Sequence, residues 1–123
     1  MTQFFKSILD QDLSPVVICD LQHTIRYMNS AAIQRYAGFG GEKLIGRNLI
    51  DCHNPQSKAR IEQVLNWFGS DRSRNRIYTS YNEKENKDVY MVALRNEQGE
   101  LIGYYEKHEY RNREMRVAYE TLD

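Results

Sequence analysis

Two short stretches of this 123-residue chain concentrate side chains able to do chemistry. Asp51, Cys52 and His53 stand together just ahead of a helix signal, and Glu106 and His108 alternate in a strand-like run near the end. An imidazole beside a helix N-terminus feels the positive end of the helix dipole, which favours a neutral ring able to accept a hydrogen bond or bind a metal. Alternation along a strand puts Glu106 and His108 on one face, and Lys107 and Glu109 on the other. If the first face lines a cavity and Cys52 and His53 approach its lip, His53, Glu106 and His108 form a set able to hold a divalent metal or to contact a small ligand. A structural His53 and a solvated strand end fit the same residues.

A cysteine nucleophile with a basic neighbour is a third reading of residues 51–53. Adjacent residues rarely aim their side chains at one another, and no oxyanion hole or orienting third group is marked elsewhere. Arg47 and Asp51 fit loop residues that pin the segment through a salt bridge or backbone hydrogen bonds.

Composition narrows the field. The 17 basic and 17 acidic residues are mixed and cancel, so there is no electrostatic footprint for nucleic acid or an anionic membrane surface. No apolar run approaches a membrane span, and the first residues lack the pattern of a secretory leader, so the sequence reads as cytoplasmic. Cys19 and Cys52 make no disulfide framework, and no paired Cys or His spacing suggests structural zinc. Cys19, inside an apolar run, reads as a core thiol.

The elements that must position these residues are legible in sequence order. Residues 2–10 form an amphipathic helix with Phe4, Phe5, Ile8 and Leu9 on one side. The apolar run 15–20 and residues 23–28 read as strands, and Asn29 or Ser30 caps a helix through Ala31, Ala32, Ile33 and Tyr36. Gly38 to Gly41 break the chain, and a short helical turn over 42–45 ends at Gly46. Asn54 as N-cap, Pro55 at the first helical position and Gly69 as C′ residue bound a long helix whose apolar stripe is Ile61, Val64, Leu65 and Phe68. Residues 76–81, 87–94 and 101–110 then read as a three-stranded antiparallel meander. Beyond 111, Met115, Ala118, Tyr119 and Leu122 recur at helical spacing.

This order resembles the PAS domain, as do three local patterns: Tyr27-Met28-Asn29-Ser30-Ala31-Ala32 at the step from second strand to first helix, Leu44-Ile45-Gly46-Arg47 before the long helix, and the paired glycines Gly99 and Gly103 of the last hairpin. The resemblance covers residues 13–110, with 1–12 and 111–123 as flanking helices. It implies an α+β fold, a five-stranded antiparallel sheet with helices over one face. Aligning Gly99 and Gly103 with the family hairpin turns Ile102, Tyr104, Glu106 and His108 inward, with Ile102 packed. It also implies a sensory or regulatory module, not an enzyme, that binds a small ligand or cofactor and signals to a partner protein in trans or through a homodimer. The flanking stripes Phe4, Phe5, Ile8, Leu9, Met115, Tyr119 and Leu122 would form that dimer's interface.

Three features depart from the family pattern. Tyr110, Arg111 and Asn112 stand where many members carry the Asp-Ile-Thr step to an output helix. Leu49 replaces the cysteine of flavin-adduct photosensors, which argues against that photochemistry. The long helix lacks the iron-ligating histidine of haem members, so haem or a divalent metal would have to use His53 or His108. Two other functions stay open: a small α+β enzyme with His53 and Glu106 as acid and base, and a ligand-free dimerisation module.

Overall fold

The computed structural model describes residues 1–122, with Cys52 by its backbone alone. Strands β1 (Val17–Asp20), β2 (Ile25–Met28), β3 (Arg76–Asn82), β4 (Lys87–Arg95) and β5 (Leu101–Tyr110) form one sheet in the order β2-β1-β5-β4-β3. All neighbouring pairs are antiparallel. The chain's two halves therefore meet at β1 and β5 in the middle of the sheet. Gly103 lies at that seam, where a Cβ would come within 2.3 Å of the Cys19 carbonyl oxygen; only glycine allows the backbones so close.

Helices α1 (Gln3–Gln11), α2 (Ser30–Arg35) and α3 (Pro55–Gly69) complete the regular structure, joined by short 3-10 turns that include Gly41–Leu44 and Leu49–Cys52. Asn54 caps α3 as expected, accepting from the Ser57 amide at 2.8 Å, with Pro55 in the first turn. The helix ends differently from expectation. Gly69 is its last residue and Ser70 continues in right-handed backbone, so no left-handed glycine closes it. Arg95 stops it instead, donating to the carbonyls of Phe68 at 2.8 Å, Arg74 at 3.2 Å and Asp71 at 3.3 Å.

The core lies between the sheet and α2 and α3, where Cys19, Met28, Ala32, Phe68, Met91 and Tyr104 pack together. Asn29 is fully buried and joins four segments. Its Oδ1 accepts from Val16 and Ala32, and its Nδ2 donates to the Leu9 and Ser14 carbonyls. Together with the Tyr27 hydroxyl, which hydrogen-bonds Asp10, it fastens the end of α1 to the domain. The rest of α1 stands clear, with Phe4, Phe5 and Ile8 exposed and Leu9 half-buried.

Two expectations fail here. Residues 111–119 are irregular and only Glu120–Leu122 makes a 3-10 turn, so the C-terminal flanking helix is not formed. Its stripe meets no apolar surface, since Met115, Tyr119 and Leu122 are all exposed, and a dozen residues do not hold a helix on propensity alone. Ile102 is half exposed rather than packed. The β4–β5 register slips between Leu94 and Arg95, so that Leu101 pairs with Arg95 and takes the inward place while Ile102 turns out.

Candidate functional site

A cavity of about 310 Å³ lies under α3 against the inner face of the sheet. Its wall is apolar over most of its extent, with Val17, Cys19, Ile25, Met28 and Met91 from the sheet and Leu44, Leu49 and Ile61 from the covering turns and helix. Its polar wall brings together His53, Tyr104, Glu106 and His108, four of the five ligand contacts expected from sequence. The side chain of the fifth, Cys52, lies outside the described residues.

Each of the four is held differently. The loop before α3 docks on β2 through Ile25 N to Arg47 O at 2.8 Å, and Asn48, rather than an Arg47–Asp51 pair, shapes its turn by accepting from Ile50 N. That loop delivers His53 to the lip, where Nδ1 lies 2.8 Å from the Leu49 carbonyl oxygen. A carbonyl only accepts, so Nδ1 carries a proton and donates it to Leu49. Tyr104 is buried, and its hydroxyl lies 2.8 Å from Nδ1 of His23, whose ring stands edge-on to the tyrosine. Burial, then the neighbouring Cys19, pushes the phenol well above its ordinary range, and burial raises the Cys19 thiol to about 11. Both groups stay uncharged.

Glu106 and His108 share the inward face of β5, as alternation requires. The Nε2 of His108 lies 3.4 Å from Glu106 Oε1, with 7% of the imidazole side chain and 57% of the glutamate side chain exposed. Burial, assisted by the positive Lys87 and Arg35 and opposed by Glu85, lowers the His108 pKa to about 4, so the ring is neutral near pH 7. Its Nδ1 is buried without a hydrogen-bond partner. The Glu106 carboxyl moves up, because the surrounding protein displaces water from it more than Lys87, His53 and Arg35 draw it down.

Lys87 and Arg35 were not anticipated. Lys87 is almost fully buried on the face that also carries Val89, Met91 and Ala93, with its ammonium 5.3 Å from the Tyr110 ring centroid. Its Nζ lies 3.0 Å from Glu85 Oε2, close enough for an ion pair but off the direction of a hydrogen bond. Arg35 at the end of α2 grips the same Glu85 carboxylate at 2.9 and 3.0 Å, which holds Glu85 down at about 2. The signal was available in sequence: strict alternation over 87–93 puts Lys87 on the buried side.

The metal set expected at His53, Glu106 and His108 is not formed. Among the described residues no three His, Cys, Asp or Glu side chains come together to hold an ion. Sharing a cavity wall is a looser condition than sharing an ion at roughly 2.0 to 2.2 Å. His53 is fixed to the Leu49 carbonyl at the lip, while His108 is packed within the sheet. Nor do the residues fit a haem, since α3 offers no histidine and the lip imidazole is exposed.

The PAS fold family model matches residues 9–107. The chain belongs to the PAS family. The C-terminal domain of a Streptococcus mutans protein superposes with a TM-score of 0.66 at 18% identity, covering 86% of this chain and 81% of that one. The PAS domain of a Colwellia psychrerythraea protein gives 0.63 at 16% identity, over 88% and 94%. The Aer2 receptor from Vibrio cholerae, a dual PAS-heme oxygen sensor, gives 0.55 at 21% identity, over 80% and 94%. At such identities the likeness is one of fold. No curated protein sequence matches the chain. PAS domains are in general sensory, non-enzymatic modules of signalling proteins, and no helix among the described residues is long and apolar enough to cross a membrane.

Proposed function

We propose that this PAS domain is a sensory module that takes a small ligand into the cavity under α3 and passes on its occupancy through pairing of two copies along α1. The observation that carries the first half is the cavity itself. It falls at the lower end of the size range of small-molecule sites, it is apolar over most of its wall, and its polar groups are gathered on one side. A core merely filled by its own side chains would not surround such a space with a carboxylate and two imidazoles. The Aer2 receptor, by its description, holds haem; the side chains here favour a smaller, non-metallic occupant.

Native mass spectrometry of freshly purified protein tests this. The wild type is expected to carry a small organic molecule, and Ile61→Trp, which places an indole in the cavity from α3, is expected to lose it while keeping its circular dichroism spectrum. A wild type with no added mass would favour the ligand-free module. Turnover lost in His53→Ala would instead revive the acid–base enzyme.

The second half rests on α1, where Phe4 is 83%, Ile8 67% and Phe5 62% exposed. Three large apolar side chains on one short helix, fastened to the domain at Leu9 and Asp10, make a surface suited to a second copy of itself. Met115, Tyr119 and Leu122 are exposed as well and would join it once ordered against the partner. Sedimentation of the intact chain is expected to show a dimer, and replacing Phe4, Phe5 and Ile8 by Ser a monomer. A monomeric intact chain at high concentration sinks the pairing.

A further inference from the structure

On the reading that the cavity holds a ligand, we infer that the ligand is an apolar molecule carrying an amino or hydroxyl group, and that it donates a hydrogen bond to Glu106 at the mouth. The inference comes from counting donors and acceptors on the polar wall. Among the described residues nothing donates a hydrogen bond to the Glu106 carboxylate, and His108 approaches it only to 3.4 Å. The Nδ1 proton of His53 is committed to the Leu49 carbonyl. The Tyr104 hydroxyl is already engaged with His23. The Glu106 carboxylate therefore stands at the mouth as an acceptor without a donor, the reverse of what a carboxylate or phosphate ligand needs.

Charge points the same way. Among the described residues Glu106 is the one acidic group lining the cavity, and its nearest imidazole, His108, is neutral near pH 7. Lys87 and Arg35 act on it from behind and are both tied to Glu85. Glu106 also borders the groove between α3 and β3, where His53, Ile61 and Met91 reappear beside Arg60 and Tyr78. The carboxylate thus stands where cavity and groove meet, and an entering molecule passes it. Arg60 lines the groove but not the cavity, so an anion held there would lie outside the proposed site.

Four benzyl probes differing at one group separate these outcomes: benzylamine, benzyl alcohol, benzyl methyl ether and benzoate. Binding is read from the methyl resonances of Met28 and Met91, both on the cavity wall. The amine and the alcohol are expected to bind, the ether about tenfold more weakly than the alcohol because it has no hydrogen to donate to the charged carboxylate, and benzoate not measurably. In Glu106→Gln, a substitution at a partly exposed side chain, the amine's advantage over the ether is expected to fall by at least about tenfold while the alcohol still binds the amide oxygen. Ether or benzoate binding as tightly as the amine would overturn the donor requirement, as would an unchanged amine-to-ether ratio in Glu106→Gln. If all four probes shift Met28 equally, the cavity still takes ligands and only this inference falls. If none shifts either methionine, the cavity reading falls with it.

Discussion

At the C-terminal end of α3 the Phe68 ring is fully buried, and Arg95 binds three carbonyls of the helix end and following turn together with Asn75 Oδ1 and the Gly99 carbonyl. From its first turn to its middle the helix overlooks open space: Ile61 and Val64 are only half-buried, Ile61 between the cavity and the groove and Val64 on the groove. One helix thus combines an end fixed by packing and a dense hydrogen-bond cluster with an end that overlooks space. Stability and recognition are separated along its length: the fixed end sets where the helix lies, and the open end sets what can enter beneath it. The titratable groups divide likewise, with His53 and Glu106 at the open end and Arg95, Arg74 and Asp71 at the closed one.

The largest effect expected from this division is at Phe68. Phe68→Ala removes a fully buried ring from the middle of the core and should destabilise the domain by about 3 to 5 kcal/mol, enough to unfold many domains of this size. Ile61→Ala, on the same stripe two turns earlier, should cost only about 1 kcal/mol, because that side chain is only partly buried and borders a cavity that exists in the wild type. Urea midpoints at fixed slope give both values. Comparable losses at the two sites would show that the helix is packed evenly and that the contrast between its ends is wrong.

How far this was legible in sequence follows the same division. Alternation and caps are local, so the strands, Asn29 and Asn54 as caps, and the placing of Glu106 with His108 could all be read from neighbouring residues. The long helix's beginning was read correctly because Asn54 and Pro55 act within one turn. Its end was misread because the group that stops it, Arg95, lies 26 residues beyond Gly69 and reaches it only in the folded sheet. The 111–122 segment shows a helical period as clear as that of 2–10, yet only the latter forms a helix; the difference is a tether, since Leu9 and Asp10 bind Asn29 and Tyr27 whereas Met115 and Tyr119 touch nothing comparable. Ile102 was lost to a bulge that slips the alternation by one residue. The metal set failed for a related reason: sequence spacing gives a shared face, and a metal needs a shared point.

The open end should also respond to pH where the closed end does not, and the sign follows from His108. Its folded pKa of about 4 lies below the ordinary 6.5, so between those values the unfolded chain binds the proton that the folded ring refuses. Stability is then fully present above about 6.5 and is lost as pH falls toward 4, by at most roughly 3 kcal/mol at about 1.4 kcal/mol per unit. Lys87 and Arg35 face the ring and deepen the loss, Glu85 opposes it, and Glu106, whose carboxyl is shifted upward, offsets part of it by taking up a proton more readily when folded. Glu85 and Glu109 do not confuse the measurement, because their folded pKa values near 2 place their losses below about 4.5. Urea midpoints at pH 7, 6 and 5 should therefore fall in the wild type, fall equally in Ile61→Ala, and stay nearly level in His108→Gln. A slope in His108→Gln as steep as in the wild type would mean that the buried imidazole is not the group that titrates, and the electrostatic contrast between the two ends of α3 would have to be assigned to other residues.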